Sequence, residues 1–129
     1  MHKSRFVLLF FLISVALSSF GIDMSTLTSI ESLNCLRTNY STNFLAMRAY
    51  RSYGAVDPNA KAMISLARKA GIDFVDVYMF PCPTKDPETQ VDEMLAEIAG
   101  SQYLYVWVDV EDNYNPQCNW TTLTPQQSC

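Results

Sequence analysis

The chain has 129 residues, with thirteen Asp and Glu against nine Lys and Arg, a formal net charge of −4. That acidity argues against nucleic acid and against electrostatic attachment to anionic surfaces. The length limits the chain to one small domain.

Met1 to about Ser18 reads as a signal peptide. Lys3 and Arg5 precede an apolar run from Phe6 to Ile13 that continues to Leu17, and Ala16-x-Ser18 fits a small-residue cleavage site. The run is shorter than the ~20 residues a membrane span needs, so secretion is expected rather than anchoring, with no membrane association after cleavage. Residues 19–129 are then the domain, and His2, the only histidine, leaves with the leader.

A first strand is predicted over Gly21–Ser25. Thr28-x-x-Glu31 has the form of a capping box opening a helix with Ile30, Leu33 and Leu36, which runs out near Asn39. Phe44–Tyr50 is the second strand. Asp57-Pro58 offers an N-cap and a first-turn proline for a helix carrying Ala60, Met63, Ile64 and Ala67 and stopping at Gly71. Phe74–Phe80 is the third strand. Asp86-Pro87 opens a third helix with Val91, Met94, Leu95 and Ile98, ending at Gly100. Tyr103–Glu111 is the fourth strand. Strands that alternate with helices in this way predict parallel pairing with right-handed crossovers.

The strand faces carry the functional signal. Leu104, Val106, Val108 and Val110 share one face of the fourth strand, an aliphatic stripe suited to packing under helices. Tyr103, Tyr105, Trp107, Asp109 and Glu111 share the other, with the two carboxylates about 6.5–7 Å apart along the backbone. In the earlier strands Asp23, then Ala46, Arg48 and Tyr50, then Asp76 and Tyr78, lie opposite aliphatic neighbours. A doubly wound sheet buries both faces under helices, whereas a barrel can gather polar groups inside, near its C-terminal mouth. The pattern favours an α/β fold with a parallel (β/α)-barrel-type sheet, the N-terminal half only, with four strands and three helices. Two acids over an aromatic floor at a strand end suit glycoside cleavage.

Asp23, Arg48, Asp76, Tyr78, Asp109 and Glu111 would converge at that mouth. Arg48 and Asp76 read equally as a mid-strand ion pair or as substrate ligands, and Tyr78 as core or as a substrate contact. The aromatics of the fourth strand read as interior packing, with Tyr114 and Trp120 the better exposed stacking residues. Of the four cysteines, Cys118 and Cys129 flank a short polar loop and are the easiest pair to propose, and Cys35–Cys82 follows by elimination. No Cys-x-x-Cys occurs, so a metal site is not expected. Asn39-Tyr-Ser41 and Asn119-Trp-Thr121 are glycosylation sequons.

Gly-Ile-Asp-Met-Ser at 21–25, Met-Arg-Ala-Tyr-Arg-Ser at 47–52, Val-Asp-Pro-Asn-Ala at 56–60, Ala-Gly-Ile at 70–72, Val-Asp-Val-Tyr-Met-Phe-Pro-Cys at 75–82 and Val-Trp-Val-Asp-Val-Glu at 106–111 together resemble glycoside hydrolase family 25, the Chalaropsis-type lysozymes, in particular secreted invertebrate members. The resemblance implies a (β/α)-barrel variant that needs no cofactor and hydrolyses peptidoglycan or a related polysaccharide, in antibacterial defence or digestion. It implies Glu111 as general acid, Asp109 as its companion and Asp23 as the first-strand acid, with the substrate's own N-acetyl group as nucleophile. A full barrel runs to about 200 residues or more, so the fourth strand is expected as a bare parallel edge of a truncated domain. The alternatives are a catalytically inert, secreted glycan-binding or interaction protein, and a chitin-cleaving enzyme.

Overall fold

The computed structural model describes residues 20–124 and 126. The proposed leader and Cys129 lie outside them. Five strands and three α-helices follow in the order β1 (Phe20–Met24), α1 (Ile30–Tyr40), β2 (Thr42–Arg51), β3 (Ala55–Val56), α2 (Ala60–Lys69), β4 (Phe74–Met79), α3 (Pro87–Glu97) and β5 (Val106–Val108), with a closing 3-10 turn at Trp120–Thr122. The sheet runs β1-β2-β4-β5, all parallel, and β3 pairs antiparallel with the end of β2. The fold is α/β with a parallel sheet, consistent with part of a barrel wall. The four expected parallel strands are present among the described residues, and β3, a two-residue antiparallel return too short to leave a periodic signal, adds a fifth.

The core forms where the aliphatic strand face meets the helices. Leu45, Met47 and Ala49 of β2 and Val75, Val77 and Met79 of β4 pack with Leu33, Met63, Ile64, Ala67, Met94 and Ile98. Burying such side chains contributes about 1.5–3 kcal/mol each. Ala46, Arg48, Asp76 and Tyr78, from the opposite strand face, stand outside that cluster. Gly21 sits against Phe44 of β2, and a Cβ there would come within 2.2 Å of the Phe44 ring. Only glycine lets β1 approach β2 so closely.

Local chemistry moves several boundaries. The N-cap of α1 is Ser29, whose hydroxyl accepts from the Ser32 N–H at 3.2 Å, rather than Thr28. Asp57 stands three residues before α2 and leaves the cap position to Asn59. Asp86 caps α3 as expected, accepting from the Thr89 N–H at 2.8 Å with Pro87 in the first turn. Val91 and Leu95, expected on the packed face of α3, are 38% and 40% exposed. A register shift between Arg48 and Tyr50 turns Tyr50 out of the polar face. Its hydroxyl instead donates to Glu93 of α3 at 2.6 Å, as bulges commonly re-aim a side chain.

The fourth predicted strand departs most. Only Val106–Val108 forms regular strand, although Leu104 N–H to Val75 O and Asp109 N–H to Met79 O, both 2.9 Å, extend its bonding to β4 at either end. Its aliphatic stripe lies open: Leu104, Val106, Val108 and Val110 are 38–62% exposed. The helices pack on β2, β3 and β4, and the neighbour of β5 is β4.

Candidate active site

The parallel register assembles the site in rows. Asp23 of β1, Ala46 of β2 and Asp76 of β4 are successive partners, and one row further on come Arg48, Tyr78 and Trp107. Asp109 follows β5, and Glu111 lies in the loop just beyond it. Strands distant in sequence thus bring their polar side chains to one face near their C-terminal ends.

Electrostatics ties the acids together. Glu111 is held above the ordinary carboxylate range, first by the charge of Asp109, then by a hydrogen bond shared with Asp109, with smaller contributions from desolvation, Asp112 and Asp23. Burial raises the Tyr78 phenol, against the pull of Arg48, and Asp23, Asp109 and Asp57 add to the rise. Charge coupling therefore links Asp23, Asp109, Glu111 and Tyr78 across the sheet. Asp23 and Glu111 are solvent-exposed. Such a pair of acids can keep one proton available for transfer while the other carboxylate stabilises positive charge.

Arg48 and Asp76 reach the same face but do not pair with each other. Arg48 Nε donates to Asp57 Oδ2 at 2.9 Å, and its Nη2 donates to the Ser25 carbonyl at 2.8 Å. Arg51 donates to the other Asp57 oxygen at 3.1 Å, so Asp57, only 2% exposed, bridges two guanidiniums. Burial alone would raise the Asp57 pKa; the hydrogen bonds from Arg51, the Asn59 N–H and Arg48 overcome it and hold the group below its usual range. Asp76, also 2% exposed, accepts from the Trp107 indole at 2.7 Å and from the Tyr105 N–H at 3.2 Å. The expected division of aromatics holds for Tyr103, which packs against the core, and fails for three others. Tyr105 and Trp107 are 66% and 55% exposed, whereas Trp120 is half-buried with its indole donating to Pro81 O. Tyr114 is fully exposed, as expected.

The loop after Glu111 is pinned by residues whose roles carry no sequence signal. Asn113 donates to Ser52 O at 2.6 Å and to Cys118 O at 3.1 Å. Gln90, buried in α3, accepts from Cys82 N–H and donates to the carbonyls of Cys82 and Lys85. These contacts bring Cys118 to Cys82, and the disulfide is Cys82–Cys118, while Cys35 is free and exposed. Both expected pairings, Cys118–Cys129 and Cys35–Cys82, are corrected. The adjacency of the β4 and β5 exits, not nearness along the chain, decides the partner. Asn39 is exposed near the end of α1, and Asn119 caps the 3-10 turn, accepting from Thr121. A cavity of about 350 Å³ bordered by Met79, Pro81, Val91, Val108 and Trp120 has none of the acids in its lining.

Comparison with known proteins adds lineage to this geometry. The family described as Lysozyme-like protein 1 matches residues 14–127. A Dictyostelium discoideum protein named "Probable GH family 25 lysozyme 2" is 42% identical over 105 residues, covering 79% of this chain and 49% of the relative. "Probable GH family 25 lysozyme 4" of the same organism is 33% identical, over 72% of this chain and 45% of the relative. "Lysozyme-like protein 5" of Caenorhabditis elegans is 30% identical, over 78% and 46%. The chain therefore spans about half the length of the curated relatives it matches. No solved structure matches. Ordered sequence identity over most of the chain places it in glycoside hydrolase family 25, among the lysozymes.

Proposed function

We propose that the protein is a secreted muramidase that hydrolyses the β-1,4 bond between N-acetylmuramic acid and N-acetylglucosamine in peptidoglycan, in antibacterial defence or digestion. The observation that carries this reading is the placement of Asp23 on β1, in register through Ala46 with β4, and of Asp109 and Glu111 just after β5, with the charge of Asp109 raising the Glu111 pKa. Glu111 gives that proton to the glycosidic oxygen as the bond to the anomeric carbon breaks. The substrate's N-acetyl oxygen closes on the same carbon, and Asp109 and Asp23 stabilise the positive charge that develops. Water then opens the ring, returning a proton to Glu111 and leaving the β configuration retained. Tyr78 and Arg48 belong to the substrate-facing surface in this reading, while Asp76, expected there, is buried beneath it with both oxygens bonded to the Tyr105 N–H and the Trp107 indole. Asn39 and Asn119 are its proposed glycosylation sites.

Glu111→Gln should abolish lysis of peptidoglycan while glycan binding survives. Asp109→Asn removes the main charge that raises the Glu111 pKa. Any residual activity should then lose its alkaline limb at lower pH, because Glu111 deprotonates earlier. Unchanged lysis by Glu111→Gln would sink the assignment. The exposure of Asp23, Glu111, Tyr105 and Trp107 favours a second reading, an inert glycan-binding protein. Binding by the parent chain without lysis would select it. Comparing hydrolysis of chitin oligomers with that of peptidoglycan separates the two enzyme substrates.

A further inference from the structure

The buried carboxylate of Asp76 spends both its oxygens on β5 and the residue that leads into it. One accepts from the Tyr105 backbone, the other from the Trp107 indole, and among the described residues no Lys or Arg forms an ion pair with it. A carboxylate in such a place is costly to bury, and an apolar side chain would fill the space without that cost. What Asp76 provides is direction. Its 2.7 Å bond fixes the indole by the nitrogen edge while 55% of Trp107 faces solvent. Tyr105, 66% exposed, stands beside it with ring centroids 6.5 Å apart and planes tilted by 60°. The row that holds Trp107 also holds Tyr78, and Asp109 follows two residues along the chain. An indole held rigid has lost its rotational freedom before any ligand arrives, which reduces the ordering cost of stacking on it.

We infer that Trp107 is a stacking wall for a pyranose ring of a β-1,4-linked N-acetylhexosamine chain, and that Asp76 is the positioning residue that aims it. The flat, apolar face of the indole matches the C–H face of the sugar, and Asp109, two residues further along the chain, puts the stacked ring on the side of the sheet that carries the candidate acids. The inference deepens the glycan-cleaving reading and takes its substrate class from it, but it is decided by binding rather than by turnover.

The test uses the full chain carrying Glu111→Gln, so that no hydrolysis intervenes, titrated with the N-acetylglucosamine tetramer while the indole N–H signals are followed by NMR. The Trp107 signal, assigned by its loss in Trp107→Phe, should shift on binding. Trp107→Ala should weaken binding about ten-fold, near the upper range of one aromatic contact. Asp76→Asn should weaken binding several-fold and move the free Trp107 signal, yet add nothing once Trp107 is already alanine. That non-additivity separates positioning from a general structural effect. The inference is overturned if the tetramer does not bind, if Trp107→Ala binds as the parent does, or if Asp76→Asn costs the same with and without the indole. Should Asp76→Asn not fold, the affinity of Trp107→Ala, altered at an exposed site, decides the wall on its own. Trp107-dependent binding by a parent chain that does not lyse peptidoglycan would overturn the muramidase reading alone. Lysis with Trp107-independent binding would overturn this inference alone.

Discussion

The centre of the sheet and its β5 edge are built from the same residue types and reach opposite states. Leu45 and Ala49 of β2 and Val75 and Val77 of β4 are wholly buried, while Val106 and Val108 of β5 are 38% and 62% exposed. Alternation of aliphatic and polar residues prepares a strand for burial on one side, but a helix must pack there to complete it. On β2 and β4, α1 and α2 do so. On β5 the hydrogen bonds to β4 and the Asp76 contacts hold the strand instead. The contrast shows that the centre carries the packed core, while the edge leaves its side chains open to solvent.

Substitutions can sharpen that division, and the largest effect is expected at the centre. Leu45→Ala should cost about 2–5 kcal/mol in denaturant unfolding, because the surroundings cannot close over the lost side chain. A value under about 1 kcal/mol would mean the centre is no better packed than the edge.

Asp57→Ala should cost about 3 kcal/mol, the low end for breaking a buried pair, since Arg48 and Arg51 keep some contact with water. Its pH signature has a definite sign. The folded-state pKa of Asp57 is depressed, so its contribution is present above the unfolded value near 3.9 and is lost as pH falls through the folded value. Stability measured from pH 6 to 2 should therefore fall more steeply in the parent than in the variant. Parallel curves would remove the ion pair from the account.

Replacing both Cys82 and Cys118 by serine should cost about 2 kcal/mol, at the lower end for a disulfide, because the bridge ties a loop rather than the core. The loss should appear as earlier hydrogen exchange after Glu111 than in β2 and β4. Uniform loss across the sheet would argue that the loop and the core unfold together. Val108→Ala should change stability by under about 0.5 kcal/mol, as exposed positions do. A core-sized cost there would erase the distinction between edge and centre.

Much of this was legible in the residues. The helices with strong local signals, Asp86-Pro87 opening α3 and Gly71 closing α2 with a φ of +75°, stand where caps and breakers put them. The candidate acids could be proposed from the sequence too, because alternation along a predicted strand puts residues two apart on one face. The Cys82–Cys118 bond and the anchoring roles of Asn113 and Gln90 were not. Each depends on two segments meeting after the sheet has formed, and nothing within either segment marks its partner.

Sequence by itself determined the α/β class, the parallel order of strand and helix, and the candidate acids Asp23, Asp109 and Glu111, since periodicity and capping are local properties. Tertiary structure alone decided that Arg48 answers to Asp57, that Asp76 holds Trp107, and that the aliphatic side of β5 stays open. Those outcomes depend on which groups compete for each charge, donor or apolar surface once distant strands are neighbours.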